Sequence, residues 1–294
     1  MRDPLAHTIK KALAVFFILA ISCAALAVPV APDKVKPEEI VAKHLAAIGP
    51  ADALTAIKSR VMIGTSTAST GVQSGNIPVE ITGPAQFASE GEKVVFAMIF
   101  NSKTYPHEKA GFNGEKLTVG ILAAGRRSEL GDFLVAHSAI FKQGLIGGVL
   151  SSAWPLLGSD AKSLKLSYAG TKTVNDRPAH ELKMRSVGDL QVSLFFDTET
   201  FQHLRTEYKY TIPAPMATVA TDSPNMKESH FKLMEDFSDF KTTGSKLTLP
   251  HTYKLSLTTE SVRGTKSYTW KMNFLQFAFN QPLEAEAFNV AASR

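Results

Sequence analysis

The chain has 294 residues, 44% of them hydrophobic and 20% charged, with a formal net charge of +5. Those proportions fit a globular protein and exclude a long disordered chain. The positive surplus is mild, and no dense Lys/Arg block interleaves with aromatics, which argues against a nucleic-acid partner.

Residues 1–27 are predicted to be a secretory signal. Arg2, Lys10 and Lys11 make a basic start, Ala12–Ser22 is uncharged and apolar, and Ala25-Leu26-Ala27 offers the small residues that a signal peptidase reads. The apolar run is short for a membrane span. Cys23 is the single cysteine, and Ala20-Ile21-Ser22-Cys23 partly resembles a lipobox, so a lipid anchor at Cys23 is the alternative to its removal. Either way the folded domain itself has no cysteine and needs no disulfide.

Residues 28–36 read as a linker and 37–294 as one domain. Pro37 suits a first helical position, and Glu38 and Glu39 suit a first turn. Ile40, Val41, Leu45 and Ile48 then share one helix face before Gly49-Pro50 ends it. A short second helix, about Ala51–Lys58, presents Leu54 and Ile57. From Ser59 the period changes to two. Lys93–Asn101 is β-rich. Ser163–Val174, Arg177–Val187, Leu190–Asp197 and Phe201–Thr211 follow as four strands, and Lys227–Thr242, Ser245–Glu260 and Thr265–Asn280 as three long ones. Short connections such as Asn175-Asp176 and Asp197–Thr200 imply antiparallel neighbours. Ile212–Asn225 is expected to be an exposed loop. The fold class expected is mainly β with a few helices (α+β).

One segment breaks the pattern. Glu129–Gly158 is strongly apolar and is predicted to be helical, broken near Gly144 and again near Gly147-Gly148. It is too short, and too interrupted by Lys142 and Gln143, to span a membrane. It is expected to be a buried plug, or a lid over a cavity. A sheet curling partway around such an element suits elongated apolar ligands. Burial of an acyl chain contributes roughly 0.8 kcal/mol per CH₂, or about 10 kcal/mol for sixteen carbons before entropy costs. The candidate ligand-binding residues are Val95, Ala97, Ile99, Leu194 and Phe196, as inward strand positions, and Phe141, Leu145, Ile146, Val149, Leu150 and Trp154 in the central segment.

No catalytic constellation is readable. GxSxG, HExxH and GxxxxGK[ST] patterns are absent from the sequence, and the histidines from His44 to His251 show no ligating spacing. No catalytic residue, metal or cofactor is assigned. A binding protein is the leading reading, a structural or interaction module of the cell envelope is the rival, and a hydrolase comes third. An apolar cavity would favour the first, a filled core the second, and clustered His, Asp and Glu in a cleft the third.

Four stretches carry a resemblance: His44–Gly49 with Leu54–Lys58; Phe195–Thr200; Asp236–Phe240 through Gly244 to Leu249-Pro250-His251; and Phe279–Leu283 with Phe288. In this order and spacing the chain resembles the LolA/LolB-like periplasmic lipoprotein-carrier group, especially proteins described as outer-membrane lipoprotein-sorting. The resemblance implies a curled antiparallel sheet forming an incomplete barrel closed by helices, and a hydrophobic cavity. It also implies a monomeric periplasmic carrier of lipoprotein acyl chains or lipids, served by transfer components of the inner or outer membrane. No arginine of this chain aligns with that group's basic residue at the cavity mouth.

Overall fold

The computed structural model describes residues 35–72, 79–158, 164–214, 228–262 and 264–290, without the side chains of 70–72 and 79. The signal segment, Cys23, most of the linker and most of the 212–225 loop lie outside the described residues.

Helix α1 (Pro37–Ile48) starts at the proline and buries Ile40, Val41, His44 and Ile48, and α2 (Ala51–Ala56) follows it. Twelve strands then form one antiparallel sheet that is not closed into a barrel. The first five are β1 (Ser59–Val72), β2 (Val79–Glu90), β3 (Lys93–Ile99), β4 (His107–Phe112) and β5 (Leu117–Val119). The other seven are β6 (Ser167–Val174), β7 (Arg177–Lys183), β8 (Gln191–Asp197), β9 (His203–Ile212), β10 (Ser229–Thr242), β11 (Thr248–Ser261) and β12 (Gly264–Phe279). Each of these two runs is a meander of sequence neighbours. A single long-range seam, β1 against β12, joins them, so the sheet reads β5-β4-β3-β2-β1-β12-β11-β10-β9-β8-β7-β6.

The two edges of the sheet, β5 and β6, are consecutive strands in the chain. Everything between them crosses the open side of the curl. That connection is the apolar central segment: α3 (Glu129–Ala136), α4 (Ala139–Lys142), and single turns at Gly148–Leu150 and Pro155–Leu157. Helix therefore ends at Lys142. Gly144, Gly147 and Gly148 all have positive φ, at 65°, 78° and 46°. Side chains with a Cβ adopt that region only at a cost, so these glycines turn the chain where a helix would run on.

Side chains alternate across each strand, and one face of the sheet holds the main core. On β1 the inward set is Arg60, Met62, Gly64, Ser66 and Ala68; on β3 it is Val94, Phe96 and Met98. Leu130, Leu134, Ile140 and Leu156 of the central segment join this core. Each such large apolar side chain contributes roughly 1.5–3 kcal/mol on burial. On the outer face, the turn Ala285–Phe288 brings Phe288 onto Ala88 and Val95.

Candidate functional site

The central segment is held inside the sheet by polar groups as well as apolar ones, and these anchors define the site. The first is Arg60, whose side chain is 1% exposed. Its Nη1 donates to the carbonyls of Val149 at 2.5 Å and Ser151 at 3.3 Å, while its Nε is buried without a partner. Arg60 makes no ion pair with a carboxylate among the described residues. Burial alone lowers its pKa to about 10. Taking a charge out of water without a counter-ion is costly, so Arg60 stores unfavourable energy in this arrangement.

The second anchor is Glu235 on β10, fully buried. Tyr208 Oη on β9 (2.5 Å) and Tyr253 Oη on β11 (2.6 Å) donate to its two carboxylate oxygens, and the Gly147 amide (2.7 Å) shares one of them. Burial pushes the carboxyl up to about 7, against the pull of those donors. The third anchor is an aromatic stack. Trp154 lies over His203 at 4.7 Å and donates from Nε1 to His44 Nε2 at 3.2 Å, while His44 Nδ1 donates to the Phe201 carbonyl. Burial lowers His44 to about 4 and holds His203 well below the usual imidazole range, so both stay neutral.

At the start of α3, Ser128 caps the helix by accepting from the Gly131 amide and donates to the buried Glu108 at 2.8 Å. Tyr105 donates to the other oxygen of Glu108. The segment is thus tied to both halves of the sheet and across the seam between them.

The predicted ligand residues divide in two. Phe141, Leu145, Ile146, Val149, Leu150 and Trp154 come together with Leu194 and Phe196, all fully or almost fully buried in the main core. Val95, Ala97 and Ile99 do not join them. They point to the opposite face, where Val95 is covered by Phe288 and Ile99 is 41% exposed. The inward set of that strand is Val94, Phe96 and Met98, one residue out of step, and a one-residue slip in a strand inverts every side chain. The space between them is closely filled around His44, but Trp154 also lines an open pocket of about 560 Å³ with Leu54, Ile57, Arg60 and Leu157. The gap between His44, Val149 and His203 measures about 10 Å³, which is at the lower limit for one water.

Arg60, Glu235 and the His44/His203 pair did not stand out in the sequence. The available signal was parity: Arg60 shares the inward side of β1 with Met62, and Glu235 that of β10 with Leu233 and Phe237.

Comparison with known proteins adds to this picture. No protein-family model matches the chain, and no curated protein matches it. Solved structures do. The neighbours found there include proteins described as LolA superfamily and as outer membrane lipoprotein-sorting. One is a putative outer membrane lipoprotein-sorting protein domain from Vibrio parahaemolyticus, with a TM-score of 0.41 and 11% identity over 85% of this chain and 95% of that one. A LolA superfamily protein from Nitrosomonas europaea gives 0.38 and 11% over 87% and 98%. A DUF1329 family protein from Desulfovibrio piger gives 0.36 and 8% over 87% and 98%.

Proposed function

We propose that the protein is an exported, non-enzymatic carrier of acyl chains, from lipoproteins or lipids, acting in the periplasm, and that the central segment occupies the cargo's place in the unloaded form. The observation that carries this reading is Arg60. In a closed core this guanidinium satisfies the Val149 and Ser151 carbonyls but holds a charge out of water without a counter-ion. Opening of the core returns the charge to water and releases both carbonyls. The left-handed glycines let the chain turn sharply at the same place. An acyl chain would replace the apolar side chains that leave, at roughly 0.8 kcal/mol per CH₂.

The experiment is an Arg60→Met substitution. Met keeps an unbranched apolar side chain and removes the buried charge. Loss of the buried charge favours the closed form, while loss of the donor leaves the Val149 and Ser151 carbonyls unpaired and opposes it. Uptake of a fluorescent fatty acid is therefore expected to shift about tenfold or more, roughly 1.4 kcal/mol, in step with the change in denaturant unfolding. Unchanged uptake in Arg60→Met would refute the displacement reading.

A second reading has its own observation. The nearly complete burial of the central segment's apolar side chains favours a structural or interaction module of the envelope, in which the segment is permanent core. On that reading neither the wild type nor the variant takes up fatty acid.

A further inference from the structure

A groove of about 650 Å³ opens where α3 begins. It meets β1 at Ala68 and Ser69, eight residues beyond Arg60, roughly 26 Å along the strand. It is therefore separate from the Arg60 anchor. One wall is aromatic. Tyr268 is half-buried in the groove and lies parallel to Trp270 at 6.1 Å. Trp270 Nε1 donates to Tyr105 Oη at 2.6 Å, and Tyr105 stacks on Phe100 at 5.5 Å, so the aromatic corner is held rigidly from behind.

The other wall is charged. Arg126 is exposed and enters no ion pair among the described residues. Arg127 pairs with Asp132 at 3.4 Å, and Glu129 accepts from the Tyr268 hydroxyl at 3.3 Å. These two arginines and two carboxylates balance in charge. A bare anion or a bare cation therefore meets as much repulsion as attraction across the groove. A ligand carrying both signs a few bonds apart meets attraction at each end. Arg126 offers a planar donor fork suited to phosphate oxygens. The Tyr268 ring beside the Glu129 carboxylate suits an ammonium group.

We propose that this groove binds the headgroup of a zwitterionic phospholipid, with the phosphate at Arg126 and the ammonium at Tyr268 and Glu129. The site stands independently of acyl-chain carriage, because an acyl-free headgroup is enough to fill it.

The test uses the full exported chain titrated with glycerophosphoethanolamine, which has no acyl chain, and in parallel with glycerol phosphate and with ethanolamine, followed by calorimetry or NMR shifts. The zwitterion is expected to bind at least about tenfold more tightly than either half. Arg126→Glu and Glu129→Gln, both at exposed positions, are each expected to weaken it about tenfold or more with little change in the melting temperature. Glycerol phosphate binding as tightly as the zwitterion would show a plain anion site and overturn the proposal. So would binding that is undiminished in Arg126→Glu, or no binding by the wild type. Fatty-acid uptake measured on the same samples reads the core separately, so its loss or retention does not decide the headgroup site.

Discussion

Replacing Gly144 with Ala is expected to remove about 2–5 kcal/mol of stability. Two effects combine. Gly144 has φ +65°, which an alanine adopts at a cost of about 1–2 kcal/mol. A Cβ there would also lie 1.9 Å from the carbonyl oxygen of Ala153. That atom is backbone and cannot swing aside, so the turn itself must open. Gly147 and Gly148 would meet the Phe87 ring at 2.3 Å and the His203 ring at 2.7 Å, contacts that side chains can partly relieve. The control is Gly125→Ala. Gly125 also has positive φ, at 71°, but nothing lies within 4 Å of its Cβ direction, so only the conformational part remains. Urea unfolding of the two variants separates packing from backbone strain. Equal losses would mean that the segment is not seated as described. Uptake by Gly144→Ala adds a functional readout: on the carrier reading, a poorly seated segment raises the rate at which fatty acid enters.

The second large effect concerns pH. Glu235 has a folded-state pKa of about 7, raised by burial from 4.5. Its protonated form is therefore favoured in the folded state. The stability it contributes is fully present below about pH 4.5 and is lost as the pH rises to 7, by about 3 kcal/mol in all. Glu108 runs in the same direction, raised by burial to about 7. The two buried histidines oppose them. His44, held at about 4, binds fewer protons folded than unfolded, so its contribution is present above pH 6.5 and is lost as the pH falls towards 4. The wild-type profile is thus a partial cancellation, and a difference measurement isolates Glu235. Glu235→Gln mimics the neutral acid in shape. Its melting temperature is expected to match the wild type near pH 4 and to exceed it increasingly up to pH 8. A constant offset at all pH values would show that the carboxyl does not titrate in this range.

Much of the sheet was legible because its later strands alternate cleanly and are joined by tight turns. β7 to β12 fall where the alternation put them, within a few residues. β2 is harder to read, since Gly83 and Pro84 interrupt it. The structure supplies the reason for Gly83: a Cβ there would meet the Ile99 carbonyl oxygen at 1.7 Å. β3 is apolar on both faces, because the turn carrying Phe288 covers part of its outer side. Alternation then identifies the strand without saying which face is inward, and the assignment of Val95, Ala97 and Ile99 to the inside failed for that reason. In the central segment, apolar spacing indicated burial. It could not show that three glycines would replace helix with turns.

The polar anchors were the least legible feature. Arg60, Glu235 and His203 each meet a different part of the central segment from strands far from it in sequence. The meaning of the buried arginine depends on its having no carboxylate partner among the described residues.

The seam between β1 and β12 has a consequence for how the molecule forms. Both meanders can assemble from neighbours in sequence, but Gly64 must find Phe274 across about 200 intervening residues. That closure is the slow, high-contact-order event. Until it happens, β1 and β12 are open edges flanking an apolar segment with no finished groove to enter. A chain whose synthesis or translocation stalls before Gly264 lacks β12 and would expose β1 and β11 as pairing edges at once, and aggregation through them competes directly with folding.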